Sequence, residues 1–259
     1  MRAVVKIGTS TLTHATGRIN IRRVEALCRV LSDLMNAGNE IILVSSGAIG
    51  MGVGKLMLSE KPGDIPTKQA AAAIGQCELM YVYDSEFSKY NHTVAQILMT
   101  SSDVEDETRL GNFQNTVSRL LEFGVLPVIN ENDSVSTAET SIGDNDTLGA
   151  IVAAHVDADL LIILSDIDGL YNKNPAVYSD AEIIKEVYEI TDEVTLMAGG
   201  KGSGLGTGGM RTKLHAAQIA MDAGVDMIIA SGKEPDILYE IFDGKNTGTR
   251  FYSKGKQTV

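Results

Sequence analysis

Six short apolar runs restrict this chain to very few folds. Residues 2–8, 40–44, 93–99, 125–129, 159–164 and 226–230 are each five to seven residues long and rich in Val, Ile and Leu, with no regular alternation of apolar and polar positions. A strand with one face in water alternates; a strand covered on both faces does not. Helical patterns fill the intervals. Residues 21–37 carry an apolar stripe of Val24, Leu27, Cys28, Leu31, Leu34 and Met35, with Asn20 as N-cap and Gly38 as stop. Further helices are expected at 67–90, with Pro66 at the first helical position, at 112–123, from Asp144 or Asn145 to His155, at 191–198, at 209–223 and at 235–242. A short strand near 183–187 and a closing edge strand at 249–252 complete the pattern. Strands alternating with helices predict an α/β protein, an αβα sandwich with a mostly parallel central sheet. One domain over residues 1–259 is expected, its two halves forming lobes of one sheet.

Charge narrows the function classes. With 22 basic against 34 acidic side chains the net charge is −12, which repels nucleic acid and anionic membrane surfaces. No apolar run approaches the ~20 residues that span a bilayer. The start, MRAVVKIGTS, enters a strand at once without a leader-like segment, so a cytoplasmic location is expected. Cys28 and Cys77 fall in helical patterns, and His14, His92, His155 and His215 are scattered; neither set has metal-ligand spacing.

Chemistry concentrates where the apolar runs end. The fourth run continues into INENDSVSTAETSIGDND, residues 129–146, with five acidic side chains and three asparagines in eighteen residues. Ser134 to Thr137 and Glu139 to Ile142 have hairpin character. The first run places Lys6 before Gly8, the second leads into Ser46-Gly47, the fifth ends in Ser165-Asp166, and a Gly-rich loop precedes Lys213. In open α/β sheets ligands sit beyond the carboxyl ends of the strands. Two lysines among glycines suit phosphoryl transfer, in which positioning and cationic stabilisation dominate catalysis. Taken singly, each lysine reads as a solvated side chain and the Gly-rich loop as a plain surface loop. Gly204, Gly206 and Gly209 also form a G-x-G-x-x-G with Asp226 downstream, which keeps a nicotinamide-dependent oxidoreductase as an alternative. No G-x-x-x-x-G-K-[ST] is present.

In order along the chain, VVKIGTS, VSSGAIGMG, INENDSV, GDND, LSDIDGLY and GTGGMRTK resemble the amino-acid kinase family, and within it the members that phosphorylate glutamate. The resemblance implies the amino-acid kinase fold and transfer of phosphate from ATP to the γ-carboxylate of L-glutamate, opening proline biosynthesis. It implies that Lys6 and Lys213 contact the ATP phosphates and that Asp146 orients both. It places Ser46, Asp133 and Asn145 on glutamate, with Asn130 and Asp144 as second choices. Nucleotide contacts fall to Ser165, Asp166, Thr207, Gly208, Gly209, Met210, Arg211, Thr212 and Lys213, besides Lys6.

A γ-carboxylate is ionised at neutral pH, so no general base is needed. Backbone N–H groups near Gly8 and Gly47 can cradle the transferring phosphate. Mg²⁺ is expected to ride mainly on ATP oxygens, with no protein ligand. The resemblance also implies a homo-oligomer, feedback inhibition by proline, and hand-over of the labile acyl phosphate to a glutamyl-phosphate reductase. Many members carry an additional C-terminal domain; this sequence stops soon after GTRFY and is expected to hold the kinase domain alone. A kinase for N-acetylglutamate and a non-catalytic ligand sensor are the alternatives within the family.

Overall fold

The computed structural model describes residues 1–14, 18–60, 62–137, 141–198 and 209–254. Strand β1 (Arg2–Ile7) leads through the single turn α1 (Thr9–Leu12) to α2 (Ile21–Asn36), whose N-cap Asn20 accepts from the Arg23 N–H. Next come β2 (Glu40–Ser45), α3 (Ala48–Lys55) and α4 (Ile65–Ser88), the last capped by Asp64 so that Pro66 occupies its second position, one beyond that expected. Strand β3 (Val94–Met99) is followed by α5 (Ser101–Glu105), which sequence patterning missed, α6 (Glu107–Glu122), β4 (Leu126–Glu131) and α7 (Asn145–His155). The chain continues through β5 (Leu160–Ser165), the two-residue strands β6 (Leu170–Tyr171), β7 (Ile183–Ile184) and β8 (Glu186–Val187), then α8 (Asp192–Met197), α9 (Met210–Asp222), β9 (Asp226–Ser231), α10 (Ile237–Phe242) and β10 (Thr249–Phe251).

Among the described residues the main sheet has the order β3-β4-β2-β1-β5-β9-β10-β8. Pairings from β3 to β9 are all parallel, and β10 runs antiparallel to β9. One expectation is corrected. The 249–252 strand is not the edge: β10 lies inside the sheet, and the edge is β8, which pairs with it in parallel. Strand β1 joins β2 on one side and β5 on the other, so both halves of the chain contribute to one continuous sheet.

The period of two along β1 explains both the core and the site. Ala3, Val5 and Ile7 pack into the layer containing α2 and α4, whereas Val4 packs into the layer containing α6, α7 and α9. Lys6 shares the parity of Val4, so its side chain enters the α7 and α9 layer. Gly149 of α7 makes room for it: a Cβ there would lie 3.4 Å from the Lys6 Cβ.

The other layer holds an unusually close helix crossing. A Cβ on Gly75 of α4 would lie 1.7 Å from the Ala48 carbonyl oxygen, and one on Gly52 of α3 would lie 1.8 Å from the Ala71 carbonyl oxygen. The two backbones therefore touch, and α3 begins at Gly47, whose φ of +113° is open to glycine at little cost. Buried Tyr83 of α4 adds a hydroxyl contact of 2.8 Å to Ser45 at the end of β2. Gly75→Ala should force the helices apart and cost at least the ~1–3 kcal/mol of an overpacked core. Urea unfolding monitored by circular dichroism checks this, with Gly63→Ala, where a Cβ would meet nothing within 4 Å, as the comparison.

Candidate active site

The carboxyl ends of β1, β2, β4 and β5 open on one side of the sheet, near the point where strand order reverses about β1. Three helices start there. The α7 residue Asn145 reaches Ser46 just ahead of α3, with Asn145 Nδ2 donating to Ser46 Oγ at 2.7 Å. Its neighbour Asp146 meets the first turn of α9, accepting from Lys213 Nζ at 3.0 Å and more loosely from Thr212 Oγ1 at 3.4 Å. Helix amino termini present unpaired N–H groups and a positive dipole end, so their convergence favours an anion.

Lys6, Asp146 and Lys213 form the centre. Lys6 Nζ lies 2.6 Å from Asp146 Oδ1, a close ion pair without the alignment of a good hydrogen bond, while Lys213 holds Oδ2. The three residues are 8%, 1% and 5% exposed. Burial works to raise the Asp146 carboxyl, but the two ammonium groups outweigh it and hold the group below the ordinary carboxylate range. The trio carries one positive charge in excess, in a protein whose net charge is −12.

Beside it lies a neutral amide cluster. Asn145 Nδ2 also donates to Asn130 Oδ1 at 2.9 Å and to the Ser45 carbonyl at 3.3 Å, and Asn130 Nδ2 donates to Gln76 Oε1 at 2.9 Å. Asp144 serves as the N-cap of α7: its Oδ1 accepts from the N–H groups of Asp146 and Thr147, and Oδ2 from the Thr147 hydroxyl. Asp133 lines a separate cavity of about 400 Å³ with Ala48, Gln76, Leu98, Glu131 and Ser134. Burial, and secondarily the charge of Glu131, raise the Asp133 carboxyl to about 6.

The structure thus brings Lys6, Asp146 and Lys213 together, and Ser46, Asn130 and Asn145 together, with Asp144 fixed as the cap just before Asn145. Ser165 and Asp166 sit at the end of β5, where the Ser165 hydroxyl donates to Asp166 at 3.1 Å. Gly209 caps α9, Met210 and Arg211 open it, and Thr212 Oγ1 returns to the Gly209 carbonyl at 2.8 Å. Thr207 and Gly208 lie outside the described residues, as do Gly204 and Gly206. Of the hairpin expected over residues 134–137 and 139–142, the first segment forms a turn and not a strand, while Glu139 and Thr140 lie outside the described residues. After β4 the chain turns, with Ser136 N–H donating to the Asn132 carbonyl, and buried Glu131 ties the loop by accepting from the Ile142 N–H at 2.9 Å and the Ser136 hydroxyl at 3.2 Å. Glu131 and Gln76 were not singled out in the sequence. Glu131 stood inside the acidic stretch without distinction, and Gln76 lies in an alanine-rich helix with no signal at all.

The dinucleotide alternative fails on geometry. Asp226 begins β9, at the amino end of the sheet and away from this site. It is buried against Arg250 at 2.8 Å and the Ser253 N–H and hydroxyl at 3.0 and 2.9 Å, so it has no ribose to meet. The last element described before these glycines is the helix α8.

The model of the amino acid kinase family matches residues 1–231. The chain belongs to this family. It is 53% identical to a glutamate 5-kinase of Clostridium perfringens over 98% of this chain and 96% of that one. It is equally identical to a glutamate 5-kinase of Caldanaerobacter subterraneus, matching 97% of this chain but 68% of that longer relative. Among solved structures, carbamate kinase from Giardia lamblia bound to AMP-PNP superposes with a TM-score of 0.71 at 17% identity, covering 98% of each chain, a likeness of fold. This amino acid kinase accordingly has the family's mostly parallel sheet between helical layers.

Removing the Asp146 charge leaves two buried ammonium groups facing one another. Asp146→Asn should lose about 3–5 kcal/mol at pH 7. Because the folded carboxyl is depressed, the stabilisation is present above the ordinary carboxylate range and lost as pH falls through the lowered value, so the gap from wild type should close in strong acid. Denaturant titrations at a series of pH values measure it.

Proposed function

We propose that this chain is a glutamate 5-kinase, transferring the γ-phosphoryl group of ATP to the γ-carboxylate of L-glutamate to give L-glutamyl 5-phosphate and ADP, the first step of proline biosynthesis. The observation that carries this is the adjacency of two sites: a buried, cationic Lys6–Asp146–Lys213 centre touching an uncharged Ser46–Asn145–Asn130 cluster. The first suits a phosphoryl group in flight, and the second a polar amino acid beside it.

In this reading the lysines offset the repulsion between the attacking carboxylate and the phosphate oxygens, and gain most as negative charge spreads over the transferring group. Asp146 keeps both ammonium groups fixed before substrate arrives, so little reorganisation is needed during transfer. Helix amino termini at α3, α7 and α9 add N–H groups toward the phosphates. The γ-carboxylate is already ionised, so no proton has to be removed. Ser165, Asp166 and the segment from Thr207 to Lys213 take the nucleotide.

Ser46 and Asn145 orient the substrate and Asp133 receives its α-ammonium; Asp144, occupied in capping, is the weaker partner for it. An acetylated amine would leave Asp133 without a cation, which disfavours N-acetylglutamate. A Mg²⁺ ion held mainly by the ATP oxygens would supply further charge neutralisation when bound. Among the described residues no helix is long and apolar enough to cross a membrane, and we assign the enzyme to the cytoplasm. A homo-oligomer, inhibition by proline at the glutamate site, and transfer of the acyl phosphate to a glutamyl-phosphate reductase complete the proposal.

ADP release from Mg-ATP with L-glutamate, L-aspartate or N-acetylglutamate, with hydroxylamine trapping the acyl phosphate, tests the reaction. Glutamate-dependent hydroxamate is expected, and its absence with every acid would sink the proposal. Lys213→Ala should lower kcat by about 10²–10³-fold, the cost typical of one lost transition-state donor, with a small change in the KM for glutamate. Asp133→Ala should raise that KM about tenfold or more and leave kcat less affected. Since Asp133 is ionised only above about 6, the KM for glutamate should fall as pH rises through 6, and Asp133→Asn should abolish that dependence.

A further inference from the structure

The amide cluster fixes its own orientation from two backbone groups. The Ser45 carbonyl can only accept, so the Asn145 atom beside it is Nδ2; the Glu131 N–H can only donate, so the Asn130 atom 2.9 Å from it is Oδ1. Asn130 Nδ2 is therefore the donor to Gln76, which must offer Oε1. Turning the Gln76 amide over would set two donors against each other. Its Nε2 is left buried with no hydrogen-bond partner, in a side chain whose residue is 7% exposed. A buried unpaired donor is costly and is seldom kept without a use.

Gln76 lines the cavity that also contains Asp133 and Glu131. The Glu131 carboxylate is engaged by the Ile142 N–H and the Ser136 hydroxyl, which leaves Asp133 as an anion of the cavity open to a cation, while Gln76 Nε2 is a buried donor there with no partner among the described residues. One acceptor for a cation and one donor for an anion complement a zwitterion, not a simple anion. The order of contacts runs from the lysine-bound Asp146 to its neighbour Asn145, then Asn130, then Gln76. Gln76 thus stands at the end remote from phosphoryl transfer, where the α-carbon of the acid would lie if its γ-carboxylate faced the lysines.

We propose that Gln76 is a specificity-determining residue whose Nε2 donates to the α-carboxylate of the amino-acid substrate while Asp133 takes the adjacent α-ammonium. The assignment rests on the glutamate kinase reading above and adds to it how the head group is recognised. The close crossing of α3 on α4 at Gly52 and Gly75 holds Gln76, the next residue, at this depth.

Two variants and one analogue test it. L-Glutamate is compared with its α-carboxamide, which keeps the γ-carboxylate and the ammonium but lacks the α-carboxylate charge. In Gln76→Met the KM for glutamate should rise about 10–100-fold, the range for a lost hydrogen bond to a charged group, with the KM for ATP within about twofold of wild type. The preference for glutamate over its α-carboxamide should shrink by the same factor. Gln76→Glu keeps an acceptor for Asn130 and sets a carboxylate against the substrate's own, so glutamate should suffer more than the α-carboxamide. Equal losses for both compounds would reduce Gln76 to a support for Asn130 and overturn the proposal; so would an unchanged KM. Should Gln76→Met fail to fold, the Gln76→Glu comparison decides.

A binding readout separates this from the kinase reading. Cys77 is exposed and lines the cavity, whereas Cys28 is buried. Alkylation by iodoacetamide therefore reports Cys77, and L-glutamate without ATP should slow it in wild type and not in Gln76→Glu. Protection surviving in Gln76→Glu refutes the head-group contact even in a protein that makes hydroxamate. Protection lost in that variant supports the contact even where no hydroxamate forms and the kinase reading falls.

Discussion

Everything at the carboxyl side of the sheet depends on Asp146 balancing two buried lysines. Isolated charges are expensive inside a protein, and the shared carboxylate pairs with both ammonium groups at 8% and 5% exposure. It also joins three distant parts of the chain: a strand interior, the first turn of α7 and the first turn of α9. The trio is thus a fastening as well as a charge centre. Such a fastening is weak evidence for stability, because two well-packed apolar groups can do as well; its distinctive property is the excess positive charge kept available for an anion.

The parallel sheet explains why these groups meet. Strands β1, β2, β3, β4, β5 and β9 all run in the same direction, so their carboxyl ends and the helix beginnings that follow collect on one side. Ser45 pairs in register with Ile7, and Ile7 with Leu164, so three neighbouring strands end level and present their loops together. The acidic stretch after β4 joins them, with Glu131 tied to Ser136 and Ile142. The result is a strip with a cationic end at the lysines and an anionic cavity at Asp133, which is the polarity of an amino acid lying with its side-chain carboxylate inward.

Much of this was legible from the chain. The β-branched runs located every long strand because both faces are buried and no polar alternation competes. The parity of Val4 and Lys6 contained the direction of the lysine, and the caps at Asn20 and Asp144 gave helix starts. The contact between Asp146 and Lys213 spans 67 residues, and no local period encodes it; only resemblance placed those two residues together. The place of β10 was also beyond reach, since a three-residue strand has too little pattern to reveal that it sits between two others. Gln76 was invisible for a different reason: in a helix packed by alanines and glycines, one amide looks like a solvated residue until the opposing backbone is in place.

Arg2 and Ser253 share a border of the fold. Arg2 is held by Asp159 through its N–H and by the Val156 carbonyl through its guanidinium, while Ser253 is held by Asp226, and Asp226 pairs in register with Leu160 beside Ala3. Residues 2 and 253 therefore emerge on the amino edge, with the whole length of the strands between them and the lysines. A fusion partner, a surface tether or an extra module attached at either point would be carried on the back of the enzyme, leaving the mouth through which substrates pass unobstructed.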